Sequence, residues 1–426
     1  MKQQALSLEK LWQWQAEYVP SHYLLACSGG KDSIAMLSCL ATEQDRLKAP
    51  LSIIYIDHGW NSSSVQWGEW VAQISRDFGF HFINEKLSFL ENKRNAEAIA
   101  RKARYAVFEE KLLPKGVLLT AHHQDDQAET LLLNLLRGSG IDGLTAMPER
   151  KVFGRGEHWR PWLSIRRATI EKYLQQHSLQ AIEDPSNADI SYRRNWLRHK
   201  VFPLLNAGFP NATDNIARSA SLLGEVRAFT EQSLDAILYP IKERLSVSLL
   251  AQYSESQKKL LIRRWLSHHS LPMPSFEQLQ EFLRQLSESI DGQAQIIFSG
   301  LYLFAYQGNI YFLEEVFSTK LPEVRADAIW SGIGRIKIKQ APFPLEECRW
   351  ALYPPGERFR PCSKLHHKSL KEWFRLYQIP PLLRRRIPLL YWKEQLVWVG
   401  EIGNANGFEQ LVIEWKKTGY ADTISR

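Results

Sequence analysis

Over the first 140 positions, apolar residues form short continuous runs, and between the runs they recur every three or four places. The runs are Tyr23 to Cys27, Leu51 to Asp57, FHFINEK (80–86) and VLLTAH (117–122). Such uninterrupted runs predict strands buried on both faces. Helical spacing follows each run: IAMLSCL after Ser33, then 62–78, NAEAIARKARYAVFEEKL (95–112) and QDDQAETLLLNLLRG (124–138). Strands alternating with helices predict an α/β fold with a doubly wound parallel sheet, in which ligands gather at the carboxyl ends of strands. The loop at Ser28, Asp57 and His122 are therefore expected on one rim.

Past Thr213 the pattern changes. IARSASLLGEVRAFTEQSLDAIL, SESQKKLLIRRWLSHH and FEQLQEFLRQLSES are helical, with weak strands near Gln295 to Phe312. Residues 321–345 are spaced by Pro and Gly, which reads as a linker or a small sheet. These shifts divide the chain into a domain at 1–214, a mainly helical one at 215–345 and a small α+β one at 346–426.

At 426 residues, two or three domains are the prior. A chain with no run of about 18 apolar residues and a polar, interrupted start is expected to be cytoplasmic, with no membrane contact. Cys27, Cys39, Cys348 and Cys362 contain no C-x-x-C pair, so reduced thiols are expected. The net charge of +8 is unevenly placed: 358–386 holds nine Lys/Arg against the single acid Glu372. This is a candidate polyanion footprint, or simply a solvated basic face.

Three segments carry candidate chemistry. Ser28, Gly29, Gly30, Lys31, Asp32 and Ser33 lie between a strand and a helix, where backbone N–H groups and the helix dipole favour a phosphate. The spacing differs from G-x-x-x-x-G-K-[ST], which excludes the common NTPase loop. AHHQDDQAET places His122 at a strand end and Asp125, Asp126 and Glu129 on the first helical turns, with Glu129 beside both aspartates. Three carboxylates suit a divalent cation or a substrate ammonium; dipole capping would account for one or two. Gly138, Gly140 and Gly143 match G-x-G-x-x-G but follow a helix, so Gly138 is read as a C-cap. EDPSN (183–187) and the basic stretch to Arg198 read most simply as a turn followed by surface charge.

The Ser28–Ser33 run resembles the SGGxDS pyrophosphate loop of the PP-loop ATP pyrophosphatase superfamily, whose sheet is adenine nucleotide α hydrolase-like. Taken with AHHQDDQAET, LLRGSGIDGL, RPWLSIRRATIEKYL, EDPSNADISYRRNWLR and the tail around KSLKEWFRLYQIPPLLRRRIPLL, it resembles the bacterial tRNA(Ile)-lysidine synthetase family. That resemblance implies an ATP-dependent ligase. Its substrates would be free L-lysine and the cytidine at the first anticodon position of an isoleucine tRNA with a CAU anticodon, joined through an adenylylated cytidine.

The resemblance also implies roles. The Ser28 to Ser33 loop would bind ATP, with Asp32 orienting the loop or the metal and Mg²⁺ held by Asp32 and Asp125. Asp126 and Glu129 would take the lysine ammonium, and His122 would orient them or touch the nucleotide. Arg101 and Arg104 would hold ATP phosphate or tRNA, Arg194 and Arg198 would hold tRNA, and Arg384, Arg385 and Arg386 would grip tRNA, so that reversing all three weakens binding. Monomer and homodimer both stand. A base thiolase would want paired cysteines, an amidotransferase an ammonia-producing domain, and a non-catalytic tRNA binder no set of retained carboxylates.

Overall fold

The computed structural model describes residues 6–59, 63–87, 96–239, 244–289, 294–314, 320–353 and 356–417. The chain forms two compact units, up to Phe229 and from Thr230 onward, and the division falls within the helix Ala212–Leu238. The boundary drawn at 214 from the sequence falls near the start of this helix.

In the first unit, β1 (Tyr23–Ala26), β2 (Leu51–Asp57), β3 (His81–Lys86) and β4 (Val117–Leu119) are joined by β5 (Arg150–Phe153) and β6 (Gly156–Trp159) in one sheet of order β3-β2-β1-β4-β6-β5. All neighbours run parallel except β5, which pairs antiparallel with β6. The hairpin of β5 and β6 is an element the apolar pattern does not predict, because RKVF and GEHW are half polar.

Alternation along the central strands explains the two helix layers. Tyr23 and Leu25 of β1, Leu51, Ile53 and Tyr55 of β2, and Val117 and Leu119 of β4 share one core with α1 (Glu9–Glu17), α2 (Lys31–Thr42) and Val71 of α3 (Ser64–Asp77). Leu24, Ile54, Ile56 and Leu118 point the other way, onto Phe108 and Leu112. Those two residues belong to α4 (Ala96–Lys111) and the turn after it. A strand with both faces covered has no polar side, which is why all of β2 is buried. α5 (Gln124–Leu136) follows β4 and ends at Gly138, whose φ of 72° and the Ser139 N–H to Asn134 carbonyl bond close the helix as a glycine C-cap.

In the second unit, the helices Glu255–His268 and Phe276–Glu288 share a core with a four-stranded sheet. Its strands are Leu245–Ser246, Asn309–Glu314, Leu301–Tyr306 and Gln295–Phe298, in that spatial order. Each helix opens on a capping box, Ser254 with Gln257 and Ser275 with Gln278, whose side chains and backbone amides pair reciprocally. Farther on, Asp327–Trp330, Gly334–Gln340 and Val412–Lys417 form a three-stranded sheet, so much of the Pro/Gly-spaced text is a small sheet. A second sheet holds Cys348–Leu352, Pro388–Trp392, Gln395–Val399 and Gly403–Asn404, with the short helix Leu370–Leu376 in the segment between the first two strands. Among the described residues no helix is long and apolar enough to cross a membrane. All four cysteines are free thiols.

Candidate active site

The carboxyl ends of β1, β2 and β4 open into a cleft of about 210 Å³. Ile54, Ile56 and Phe108 give it an apolar wall, and Ser28, Asp32, Arg104, His122 and Asp126 give it polar groups. An apolar slot with a few converging polar groups suits a nucleotide base with its phosphates.

The loop is built around Gly29. Its φ is 81°, its carbonyl accepts from the Ile182 N–H at 2.9 Å, and a Cβ there would stand 2.3 Å from the Ile182 side chain. Gly30 is different: it is extended, with φ of −71°, and caps the N-terminus of α2. Ser33 Oγ donates to the Gly30 carbonyl at 2.9 Å, and Ser28 Oγ accepts from the Gly30 N–H at 3.3 Å. The loop is therefore preshaped, with the start of a 12-residue helix aimed at its mouth. Lys31 does not line the cleft; its Nζ stands 3.1 Å from Glu183 Oε1 over a separate surface hollow. The lysine seen in sequence as phosphate charge is thus paired elsewhere in this state.

At the rim, His123 is buried and ringed by carboxylates. Its Nε2 lies 3.6 Å from both Asp32 Oδ2 and Asp126 Oδ2, and its Nδ1 lies 3.7 Å from Asp125 Oδ2. Burial alone would lower its basicity, yet the charges of Asp126, Asp32 and Asp125 outweigh it and raise the pKa to about 9. Asp126 also accepts the His123 backbone N–H at 3.0 Å. Burial would push its carboxyl up, but His123 and Arg194 hold it well below the usual carboxylate range. Sequence reasoning passed over His123 in favour of His122. The signal was its position three residues before Asp126, the spacing of a helix-capping pair.

Asp126 and Glu129 share two arginines. Arg194 Nε donates to Glu129 Oε2 at 2.6 Å and its Nη2 to Asp126 Oδ1 at 2.9 Å, while Arg198 Nε donates to Glu129 Oε1 at 2.7 Å. Arg194 and Arg198 are four residues apart, on a helical turn at Arg193–Trp196 that passes into a π turn at Leu197–Val201, so both reach α5. Expected from the resemblance to hold tRNA, both side chains pair here with the two carboxylates. Asp125 departs from its neighbours as well: its Oδ2 accepts the Arg167 backbone N–H at 3.0 Å. Asp32 and Asp125 thus approach opposite nitrogens of His123, and among the described residues no group of three or more His, Cys, Asp or Glu could hold a metal ion.

The remaining expected residues are scattered. Arg101 lies over the Tyr105 ring at 4.9 Å and is exposed, and Arg104, one turn on, lines the cleft. Asp57 is buried and accepts the Gly59 N–H at 2.7 Å, leaving His58 as the β2 residue in the cleft. Asp184 accepts the Ser186 N–H, and Asn195 ties the loop down through the Ser186 and Asp189 carbonyls, so EDPSN is the turn it resembles. In the second unit, Arg386 is only 8% exposed and Arg384 donates to the Ile379 carbonyl at 3.0 Å. Arg385 is exposed, as are Arg358, Lys364, Lys371 and Arg375. The triple reversal of Arg384, Arg385 and Arg386 would therefore disturb the fold as well as the surface.

Comparison with known proteins agrees with this architecture. A PP-loop domain model matches residues 3–205, a TilS substrate binding domain 245–311 and a TilS substrate C-terminal domain 348–415. The chain is 33% identical to the tRNA(Ile)-lysidine synthase of Proteus mirabilis, over 93% of this chain and 95% of that one. It is 32% identical to that of Nitrosomonas europaea, over 92% and 91%, and 32% identical to that of Vibrio cholerae, over 91% and 92%. With a PP-loop cleft at its strand ends and this likeness along nearly its whole length, the chain belongs to the tRNA(Ile)-lysidine synthase family.

Proposed function

We propose that this protein joins free L-lysine to the cytidine at the first anticodon position of an isoleucine tRNA with a CAU anticodon, using ATP. The observation that carries the reading is the single cleft rim on which the Ser28 loop, Asp32, His122 and Asp126 meet. In the first step the cytosine carbonyl oxygen attacks the α-phosphorus of ATP and pyrophosphate leaves. The N–H groups at the start of α2, with Ser28 and Ser33, meet the charge that builds on it. In the second step the lysine side-chain amine bonds to the same carbon and AMP departs.

The lysine ammonium, with an unperturbed pKa of about 10.4, must bind and then lose a proton. Asp126 lines the cleft as an ionised carboxylate, which suits it to meet that ammonium and makes it a poor proton acceptor. Glu129 supports Asp126 through the arginines they share.

Asp32 is the residue that fits Mg²⁺: its Oδ1 is buried without a bonding partner at the mouth of the phosphate loop, and one carboxylate with phosphate oxygens is a usual Mg²⁺ arrangement. When bound, Mg²⁺ would neutralise phosphate charge. The exposed cations of 358–385 would hold tRNA by its backbone, and a base read in an anticodon loop must be unstacked to reach the cleft.

The test is pyrophosphate release from ATP, with labelled lysine recovered in RNA, using isoleucine tRNA with CAU against methionine tRNA. Release and incorporation only with the isoleucine tRNA, lost in Asp32→Ala while tRNA binding persists, is the expected result. Release without lysine in the RNA would refute the ligation.

A further inference from the structure

Behind the cleft lies a chain of four polar side chains. Arg160 Nη2 stands 3.0 Å from His158 Nδ1, His158 Nε2 stands 2.8 Å from Thr120 Oγ1, and Thr120 Oγ1 stands 2.7 Å from His122 Nδ1. Arg160, His158 and Thr120 are all buried, and Arg160 is anchored further by Nη1 donating to the Pro148 carbonyl at 2.8 Å.

Donor and acceptor rules orient this chain in one direction. A guanidinium only donates, so His158 Nδ1 must accept and carries no proton. His158 therefore bears its proton on Nε2 and donates to Thr120. A hydroxyl has one proton, and the neighbour left to receive it is His122 Nδ1. That leaves His122 protonated on Nε2, the ring's remaining polar atom, in a side chain that lines the cleft.

We propose that Thr120 and His158 are positioning residues that lock His122 as a neutral imidazole with its proton on Nε2, a fixed hydrogen-bond donor to a phosphate oxygen of the bound nucleotide. The surroundings agree. His122 is faced by Asp126 from α5, Arg101 from α4, Arg160 beyond β6, Arg194 and His158; burial comes first among the influences, and with the three arginines it outweighs Asp126 and lowers the pKa to about 3. Burial and Arg160 likewise keep His158 neutral. A donor held in one protonation state meets phosphate charge without itself giving up a proton. The inference rests on ATP binding in this cleft and adds to the proposed ligation a group whose hydrogen-bonding role is set two residues away from the substrate.

The experiment uses the full chain labelled with ¹⁵N in its histidine rings, with the His122 signals assigned by their loss in His122→Gln. Long-range ¹H–¹⁵N spectra are expected to show a protonated Nε2 and an unprotonated Nδ1, unchanged from about pH 6 to about pH 8. Adding α,β-methylene ATP should move the Nε2 signal. Thr120→Val should let the neutral ring mix its two tautomers, with kcat for pyrophosphate release falling about tenfold and the ATP KM little changed. Thr120→Ser should restore both. A proton on Nδ1 or a charged ring in the wild type, which needs no variant to see, would overturn the proposal. So would an Nε2 signal indifferent to the nucleotide analogue. Normal spectra without any tRNA-dependent pyrophosphate release would instead sink the ligation reading and leave the histidine assignment standing.

Discussion

The rim of the first unit and the basic segment of the second hold charge in opposite ways. At the rim Glu129 is 2% exposed and grips two arginines, and His123, 1% exposed, sits among three aspartates. Along 358–385 most of the cations stand in solvent. A buried charge cannot persist without a partner, so its partners define a geometry and the geometry narrows the chemistry. An exposed charge needs none, and it reports only an attraction to polyanions.

The contrast predicts unequal penalties. The largest belongs to Glu129→Gln, which leaves Arg194 and Arg198 with Asp126 as the one carboxylate of the cluster between them; the first unit should lose about 3 kcal/mol, read from the shift in its denaturation midpoint. Asp327→Asn, which removes an exposed partner of Arg335, should shift nothing measurable. Equal effects would mean that the buried cluster is no more demanding than a surface pair.

Next comes pH. The folded pKa of His123 is raised to about 9 from an ordinary 6.5, so the stability it contributes is complete below about pH 6.5 and is lost as pH rises through 9. The amount is roughly 3 kcal/mol from a shift of this size. In protein free of metal and nucleotide, His123→Gln should flatten that alkaline decline. A wild-type denaturation midpoint that stays level from pH 6.5 to 9.5 would contradict the charged ring.

The smallest effect is in the second unit. Arg385→Glu should weaken tRNA binding several-fold and lower the salt slope by roughly 1, with folding unchanged. Arg386→Glu should unfold the segment, since that side chain is buried. Two variants that behave alike would erase the distinction between adjacent arginines drawn from their burial.

Legibility in the sequence followed the same division. The strands Tyr23–Ala26, Leu51–Asp57 and Val117–Leu119 could be read because burial on both faces demands continuous apolar text. The turn at Gly29 and Gly30 could be read because Gly-Gly between a strand and a helix marks a tight loop. The hairpin of β5 and β6 could not, since β5 is an edge strand that tolerates polar residues and the inner strand β6 carries the buried polar His158. His123 was hidden for another reason: besides the local Asp125 and Asp126 it meets Asp32, about ninety positions earlier in the chain, and only folding brings those two within 3.6 Å.

The sequence by itself determined the layered α/β domain and the family, because these depend on local periodicity and on motifs contiguous in the chain. It also marked Asp126, Glu129, Arg194 and Arg198 as charged groups of interest. Only the tertiary structure decided that these four neutralise one another, that Lys31 turns toward Glu183, that Asp125 caps Arg167 and that Arg386 is buried next to an exposed Arg385. The physical reason is that a charge is defined by what lies within a few ångströms of it, and that neighbourhood is set by packing between segments far apart in the chain.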